Sequence, residues 1–156
     1  MSTVTDYADR TVDVSAFHGA EESGEILLDQ SLFTDTSAGL VITGAQKLAQ
    51  RFLLELLTRT ESLQYLPARG TSFMTAARTG LIRTELDAFT YFGLALGTVE
   101  TNLLTEDAGT DPADERFDSA ELNQVAFLPG QLKLYISLLS AAGTERKIIL
   151  PISTIP

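Results

Sequence analysis

Apolar residues recur at helical spacing from about residue 43, and the spacing predicts a first helix there. Thr43 and Gln46 have the spacing of a capping box, in which a hydroxyl and an amide satisfy each other's backbone N–H groups. Glu55 and Arg59 lie four residues apart, in the order that favours an ion pair on a helix. The predicted apolar face comprises Leu48, Phe52, Leu53, Leu56 and Leu57.

A second helix is predicted from Thr84 to about residue 104. Thr84 is a good N-terminal cap, and Asp87 places negative charge in the first turn. Gly93 and Gly97 each cost about 1 kcal/mol of helix stability relative to alanine, so they indicate close packing or a kink, and close contact with the sheet is the favoured interpretation. The apolar side chains available to this helix include Leu86, Phe89, Leu96, Val99 and Leu103.

The last third of the chain alternates between apolar and polar residues, which is typical of half-buried strands. Strands are predicted at residues 121–128, 131–139 and 147–153, with Pro129-Gly130 as a tight turn between the first two. Pro151 has no N–H to donate, so the last strand is expected at a sheet edge, or with the Pro151 nitrogen pointing outward. The predicted fold class is α+β: two amphipathic helices packed on a small antiparallel C-terminal sheet.

Charge divides the chain of 156 residues into two parts. Residues 1–42 carry eight acidic residues and one basic residue, which predicts an extended acidic N-terminal arm with short β-type runs at 11–17 and 25–28. Residues 43–156 form the predicted domain.

The formal net charge of −10 disfavours nucleic-acid binding. The most apolar window is too short for a membrane span.

Few residues in the sequence can support catalysis. There is no cysteine, and His18 is the only histidine, which excludes thiolate and multi-histidine metal sites. No phosphate-binding or nucleophile-elbow motif is present, so we expect no cofactor, metal or catalytic residue. Four acids could form the carboxylate pair of a glycoside hydrolase, although a solvated acidic surface is the favoured interpretation: Glu100, Glu106, Asp107 and Glu115.

The order of motifs resembles a known family. The first helix runs into Leu56-Leu57-Thr58-Arg59, and Tyr65-x-Pro67-x-x-Gly70-Thr71 follows. This sequence resembles the baseplate-wedge or sheath-initiator proteins of contractile phage tails, which are also labelled tail-lysozyme-like and occur in type VI secretion baseplates. The family has a Glu-Pro-Arg signature after its second helix, where this chain has Asp114-Glu115-Arg116. The resemblance covers residues 43–153.

The resemblance implies a structural protein of the virion, assembled in the host cytoplasm. Its expected partners are baseplate wedge subunits and the tail sheath protein, and also tail tube or hub proteins. It would clamp the wedge near the hub and start the sheath by strand addition. The alternatives are a peptidoglycan-cleaving tail enzyme and another virion connector protein. The residues expected at partner interfaces are Phe52, Leu56, Tyr65, Pro67, Gly70, Arg116, Ile149 and Pro151.

Overall fold

The computed structural model describes residues 13–14, 18–22, 25–29 and 41–154. Four short strands come first: β1 (Asp13–Val14), β2 (His18–Glu22), β3 (Glu25–Asp29) and β4 (Val41–Ile42). Three helices follow: α1 (Gly44–Leu57), α2 (Phe73–Arg78) and α3 (Glu85–Glu106). The last elements are β5 (Phe117–Leu128), β6 (Gln131–Ser140) and β7 (Glu145–Ser153).

The predicted α+β class is confirmed, with an antiparallel meander of β5, β6 and β7. The prediction of two helices was incomplete, because α2 forms a third in the segment between them. Its six residues are too few to display a helical period, yet it buries Phe73, Met74 and two alanines.

The meander buries one face under the helices. Along β6, alternate residues from Leu132 to Leu138 are buried, while those between them are partly exposed. Phe52 of α1 is fully buried and stacks on Phe117 of β5, with ring centroids 6.3 Å apart. This one-sided core holds α1 and α3 against the sheet.

The N-terminal caps of the two long helices differ from each other. The cap predicted at Thr84 is confirmed, and with Asp87 it forms a full capping box: the Thr84 hydroxyl accepts from Asp87 N at 3.1 Å, and Asp87 Oδ2 accepts from Thr84 N at 2.9 Å. The capping box predicted at Thr43 was wrong, since the Thr43 side chain makes no cap hydrogen bond. The carboxylate of Glu115 caps α1 instead, as described below.

The five-stranded sheet has the order β2-β3-β7-β6-β5. Strand β3 therefore lies beside β7 and runs parallel to it, with Glu25 in register with Lys147 and Leu27 with Ile149. Separately, β1 pairs with β4. Much of the predicted arm, residues 1–12, 15–17, 23–24 and 30–40, lies outside the described residues, and the boundary at residue 42 stays a prediction.

Candidate assembly surfaces

The Asp114-Glu115-Arg116 tripeptide holds the segment before β5 against the start of α1. Glu115 is only 3% exposed. Its Oε1 accepts from the Gly44 backbone N–H at 3.0 Å, and its Oε2 accepts from Lys47 Nζ at 3.1 Å. Because a helix N-terminus carries partial positive charge, the carboxylate is well placed to stabilise α1. Glu115 thus joins two segments that are 71 residues apart in sequence.

A chain of ion pairs continues from this cap along the helices. Arg51 of α1 lies 3.3 Å from Glu106 and 2.8 Å from Asp107 at the end of α3. Arg69 also pairs with Glu106, and its Nη2 lies 2.7 Å from Glu55 of α1. The hydrogen bond from Arg69 to Glu106 is the main cause of the raised pKa of the Arg69 guanidinium.

Glu106 is held in its charged form by these two arginines. Burial alone would raise its pKa, but hydrogen bonds and charge from Arg69 and Arg51 outweigh burial, and the pKa of the Glu106 carboxyl lies below its ordinary value. A general acid in glycoside hydrolysis needs the opposite, a carboxyl whose pKa is raised so that it stays protonated. Asp107 and Glu115 are likewise paired with cations of α1. The three acids therefore serve as links between segments.

The loop at residues 58–72, here the 58–72 loop, is closed at its base and exposed at its tip. At the base, Thr71 N donates to Thr58 O at 2.8 Å, and the Gly70 N–H donates to buried Glu55 at 2.9 Å. Gly70 has a φ of 88°, and a Cβ there would overlap the Thr58 carbonyl, so this approach requires glycine. Tyr65 at the tip is 87% exposed. A rigid base therefore supports an aromatic side chain in solvent.

The side of α3 that faces away from the core carries no charge. It is here called the α3 outer face, and all of its members are exposed: Leu86, Thr90, Gly93, Leu94, Gly97, Thr101 and Leu104. Leu86 and Leu94 are 75% and 68% exposed. The expected close packing of Gly93 and Gly97 was wrong, because a Cβ at either position would meet nothing within 4 Å. The two glycines instead form a shallow, uncharged strip on the surface.

Strand β7 was expected at a sheet edge, and it is an edge only in part. Its Lys147–Ile149 stretch lies between β6 and β3, whereas the parallel pairing with β3 ends at Ile149. From Leu150 to Ser153, no residue of β7 pairs with β3 in the described part of the chain, although β3 itself continues to Asp29. Pro151 lies in this open stretch and remains in register with Lys133 of β6. The edge strands of the described sheet are β2 and β5.

The predicted interface residues divide into three groups by exposure. Phe52 and Leu56 are fully buried, so neither can contact a partner while the domain stays folded. Gly70 is also buried, at the base of its loop. Tyr65 and Pro67 are exposed, and the others are half-buried: Arg116, Ile149 and Pro151. Arg116 Nε is buried without a hydrogen-bond partner in the described part of the chain, while its carbonyl accepts from Ala141 N at 2.9 Å.

The α3 outer face was missed by the sequence analysis. In the sequence, positions 86, 90, 93, 94, 97, 101 and 104 share one side of the helix and carry no charge, but the buried side is uncharged as well, so the pattern alone does not distinguish the two sides. The four charged residues of α3 are all acidic: Glu85, Asp87, Glu100 and Glu106. An uncharged strip bordered by acids on a long helix is a candidate contact surface.

Searches among protein-family models, curated proteins and solved structures found no match to this chain. Within residues 13–14, 18–22, 25–29 and 41–154, no helix combines the length and apolar character needed to cross a bilayer. Over the same residues, no three histidine, aspartate or glutamate side chains come together as a metal site.

Proposed function

We propose that this chain is a structural subunit of a contractile-tail baseplate, which clamps wedge subunits with its helices and starts the sheath by strand addition at β7. The resemblance in motif order suggests this class of protein. The observation that carries the proposal is the far end of β7, from Leu150 to Ser153, where no residue pairs with β3 in the described part of the chain; the preceding stretch, Lys147–Ile149, accepts a parallel strand. Strand addition draws its affinity from main-chain hydrogen bonds, and an edge of this kind can supply them.

The α3 outer face is the proposed contact for the wedge. A partner helix can approach closely over Gly93 and Gly97, because neither carries a side chain. Leu86, Leu94 and Leu104 are exposed around the glycines and would be buried in such a contact. The acidic borders of α3 favour a partner helix with basic residues at its flanks.

Site-specific photo-cross-linking in assembled tails tests both contacts. The chain has no cysteine, so one cysteine at a time can be introduced and labelled with benzophenone maleimide. Ser153→Cys places the label on the open end of β7, and Leu94→Cys places it on the α3 outer face. We expect cross-links from the first to the sheath protein and from the second to a wedge subunit. Ser119→Cys on β5, at the opposite edge of the sheet, is the matched control and should not cross-link to sheath.

Three results would overturn the proposal. One is the absence of the chain from purified tails. Another is cross-linking of both labels to head or neck proteins, which would favour a connector. The third is clearing of a peptidoglycan gel by the purified protein, which would favour the enzyme alternative.

A further inference from the structure

We propose that β3 is a displaceable cap, which covers the edge of β7 in the free subunit and leaves when a strand from a sheath subunit takes its place. This inference rests on the proposed function and adds a step to it. The strand that would be displaced belongs to the chain's own acidic arm. The site that it covers is the Lys147–Ile149 stretch of β7.

The pairing of β3 with β7 is short compared with the pairing on the other side of β7. It comprises three residue pairs, from Glu25 with Lys147 to Leu27 with Ile149. On the other side, β6 pairs with β7 along its whole length, from Gln131 with Ser153 to Leu139 with Glu145. Parallel pairs are also slightly less stable per residue than antiparallel pairs. A competing strand would therefore displace β3 more easily than β6.

The arm can release this edge without leaving the domain. β1 pairs with β4 at the start of α1, with Asp13 in register with Ile42. Gln50 of α1 also donates to Asp13 Oδ2 at 3.0 Å. The β2–β3 hairpin lies between these two anchored strands in sequence. Residues 30–40, which follow β3, can span up to about 36 Å when extended. Only three residues separate β1 from β2, so β2 stays close to β1, while the longer segment after β3 allows β3 to leave β7.

The open end of β7 provides a starting point for the incoming strand. No residue of the Leu150–Ser153 stretch pairs with β3 in the described part of the chain, so a new strand can pair there first. It can then replace the three β3 pairs one after another. Until that happens, the edge strand on this side of the sheet is β2, and acidic residues on an edge strand, here Glu21 and Glu22, discourage uncontrolled pairing between copies.

The residues of β2 and β3 also indicate which residues the incoming strand should carry. β2 and β3 contain four acidic residues and no lysine or arginine: Glu21, Glu22, Glu25 and Asp29. The covered stretch of β7 begins at Lys147, next to Arg146. The register brings an acidic position beside a basic one. We therefore expect the incoming strand to run parallel to β7 and to carry an acidic residue in register with Lys147.

A reversible disulfide tests the cap in the purified protein. Leu27→Cys and Ile149→Cys occupy positions in register on neighbouring strands, within the reach of a disulfide. With no other cysteine in the chain, mild oxidation should give a monomeric product in which peptides from β3 and β7 are linked, as read by mass spectrometry. The matched control pairs Leu27→Cys with Ser119→Cys on β5 and should give no such link. Absence of the intramolecular link, or a link only between two copies, would overturn the cap.

The same variant tests the displacement step in tail assembly. With the disulfide closed, subunits should enter baseplates while sheath fails to form, and reduction should restore sheath to the level of the unmodified protein. Normal sheath on oxidised particles would overturn displacement. The disulfide measurement needs no baseplate, so a failed cap and a failed baseplate function are distinguishable.

Discussion

Glu55 connects three parts of the domain through one buried carboxylate. It is 3% exposed, accepts from Arg69 Nε at 2.8 Å and from the Gly70 N–H at 2.9 Å, and also accepts from Asn102 of α3. It therefore fixes the base of the 58–72 loop to α1 and α3. The exposed position of Tyr65 at the loop tip depends on that base.

Neutralising Glu55 should destabilise the domain. Glu55→Gln keeps the shape of the side chain but removes the charge that strengthens its hydrogen bonds to Arg69 and Gly70. We expect the free energy of unfolding in urea to fall by about 2 kcal/mol. Glu121→Gln, an exposed change on β5, should have an effect within about 0.5 kcal/mol. Equal effects of the two changes would show that the Glu55 network does not support the fold.

Glu55 and Arg59 have the spacing of a helical ion pair in the sequence, and helical neighbours are the only partners that spacing can reveal. The partner in the structure is Arg69, 14 residues away across a loop. Glu115 gives the same lesson, since it caps α1 from 71 residues away. Each pairing depends on the tertiary fold, so local sequence patterns could not predict it.

The lowered pKa of Glu106 predicts a stability that depends on pH. Because the folded-state pKa lies below the unfolded value of about 4.3, its contribution is complete above that value and is lost as the pH falls through the folded pKa. Glu106→Gln should therefore cost up to about 1 kcal/mol at pH 7, an amount limited by solvent screening. The difference from the unmodified protein should shrink below about pH 4 and in 1 M salt. A difference that grows in acid would contradict this assignment.

At the scale of elements, α3 shows where hydrophobic pattern alone is insufficient. The helix is apolar on most sides, so the pattern did not select one face. Val99 and Leu103 are buried as expected, but Leu86 is 75% exposed, and the core takes Ala88 and Ala95 instead. Small residues fit where α3 lies close to the sheet and its neighbouring helices. The steric fit of α3 against the sheet and the neighbouring helices, and not its hydrophobic pattern, therefore determines which face of α3 is buried.

The α3 outer face predicts opposite effects of one substitution on stability and on assembly. Gly97→Ala should stabilise the free subunit by about 1 kcal/mol, because alanine favours the helix and its Cβ meets open space. In baseplates the added methyl group should weaken wedge binding. Chemical denaturation and co-sedimentation with wedge subunits would measure the two effects.

Gly143→Ala is the control for this substitution. It also has open space for a Cβ, but its φ of 80° makes alanine strained, and it should destabilise by about 1 kcal/mol. If Gly97→Ala stabilises the free protein and leaves wedge binding unchanged, the α3 outer face is not the contact surface.

At the scale of the whole molecule, the α+β class and the meander followed from sequence, because the alternation in β6 and β7 matches a sheet covered on one face. The parallel pairing of β3 with β7 could not be predicted in the same way. It joins residues more than 100 positions apart. Hydrophobic periodicity can identify a strand, but it does not indicate which strand lies next to it in the sheet. Pro151 predicted a sheet edge. β7 pairs with β3 up to Ile149, and Pro151 lies beyond that pairing.

Deleting residues 1–40 should leave the domain folded and expose the edge of β7. Among the residues whose side chains the structure describes, the hydrophobic cluster lies between Leu48 and Ile152, and the deletion leaves this cluster intact. Loss of the β3 pairing, of the β1–β4 pairing and of the Asp13–Gln50 hydrogen bond should together cost about 3 kcal/mol, which corresponds to a fall in melting temperature of about 6–12 °C. The uncovered edge should then promote concentration-dependent self-association, measured by sedimentation velocity.

Deletion of residues 1–12, which keeps β1 and the β2–β3 hairpin, is the control and should change neither the melting temperature nor the self-association. A collapse of the melting transition would instead assign the arm to the folding unit, and a strictly monomeric deletion variant would contradict the role of β3 as a cap.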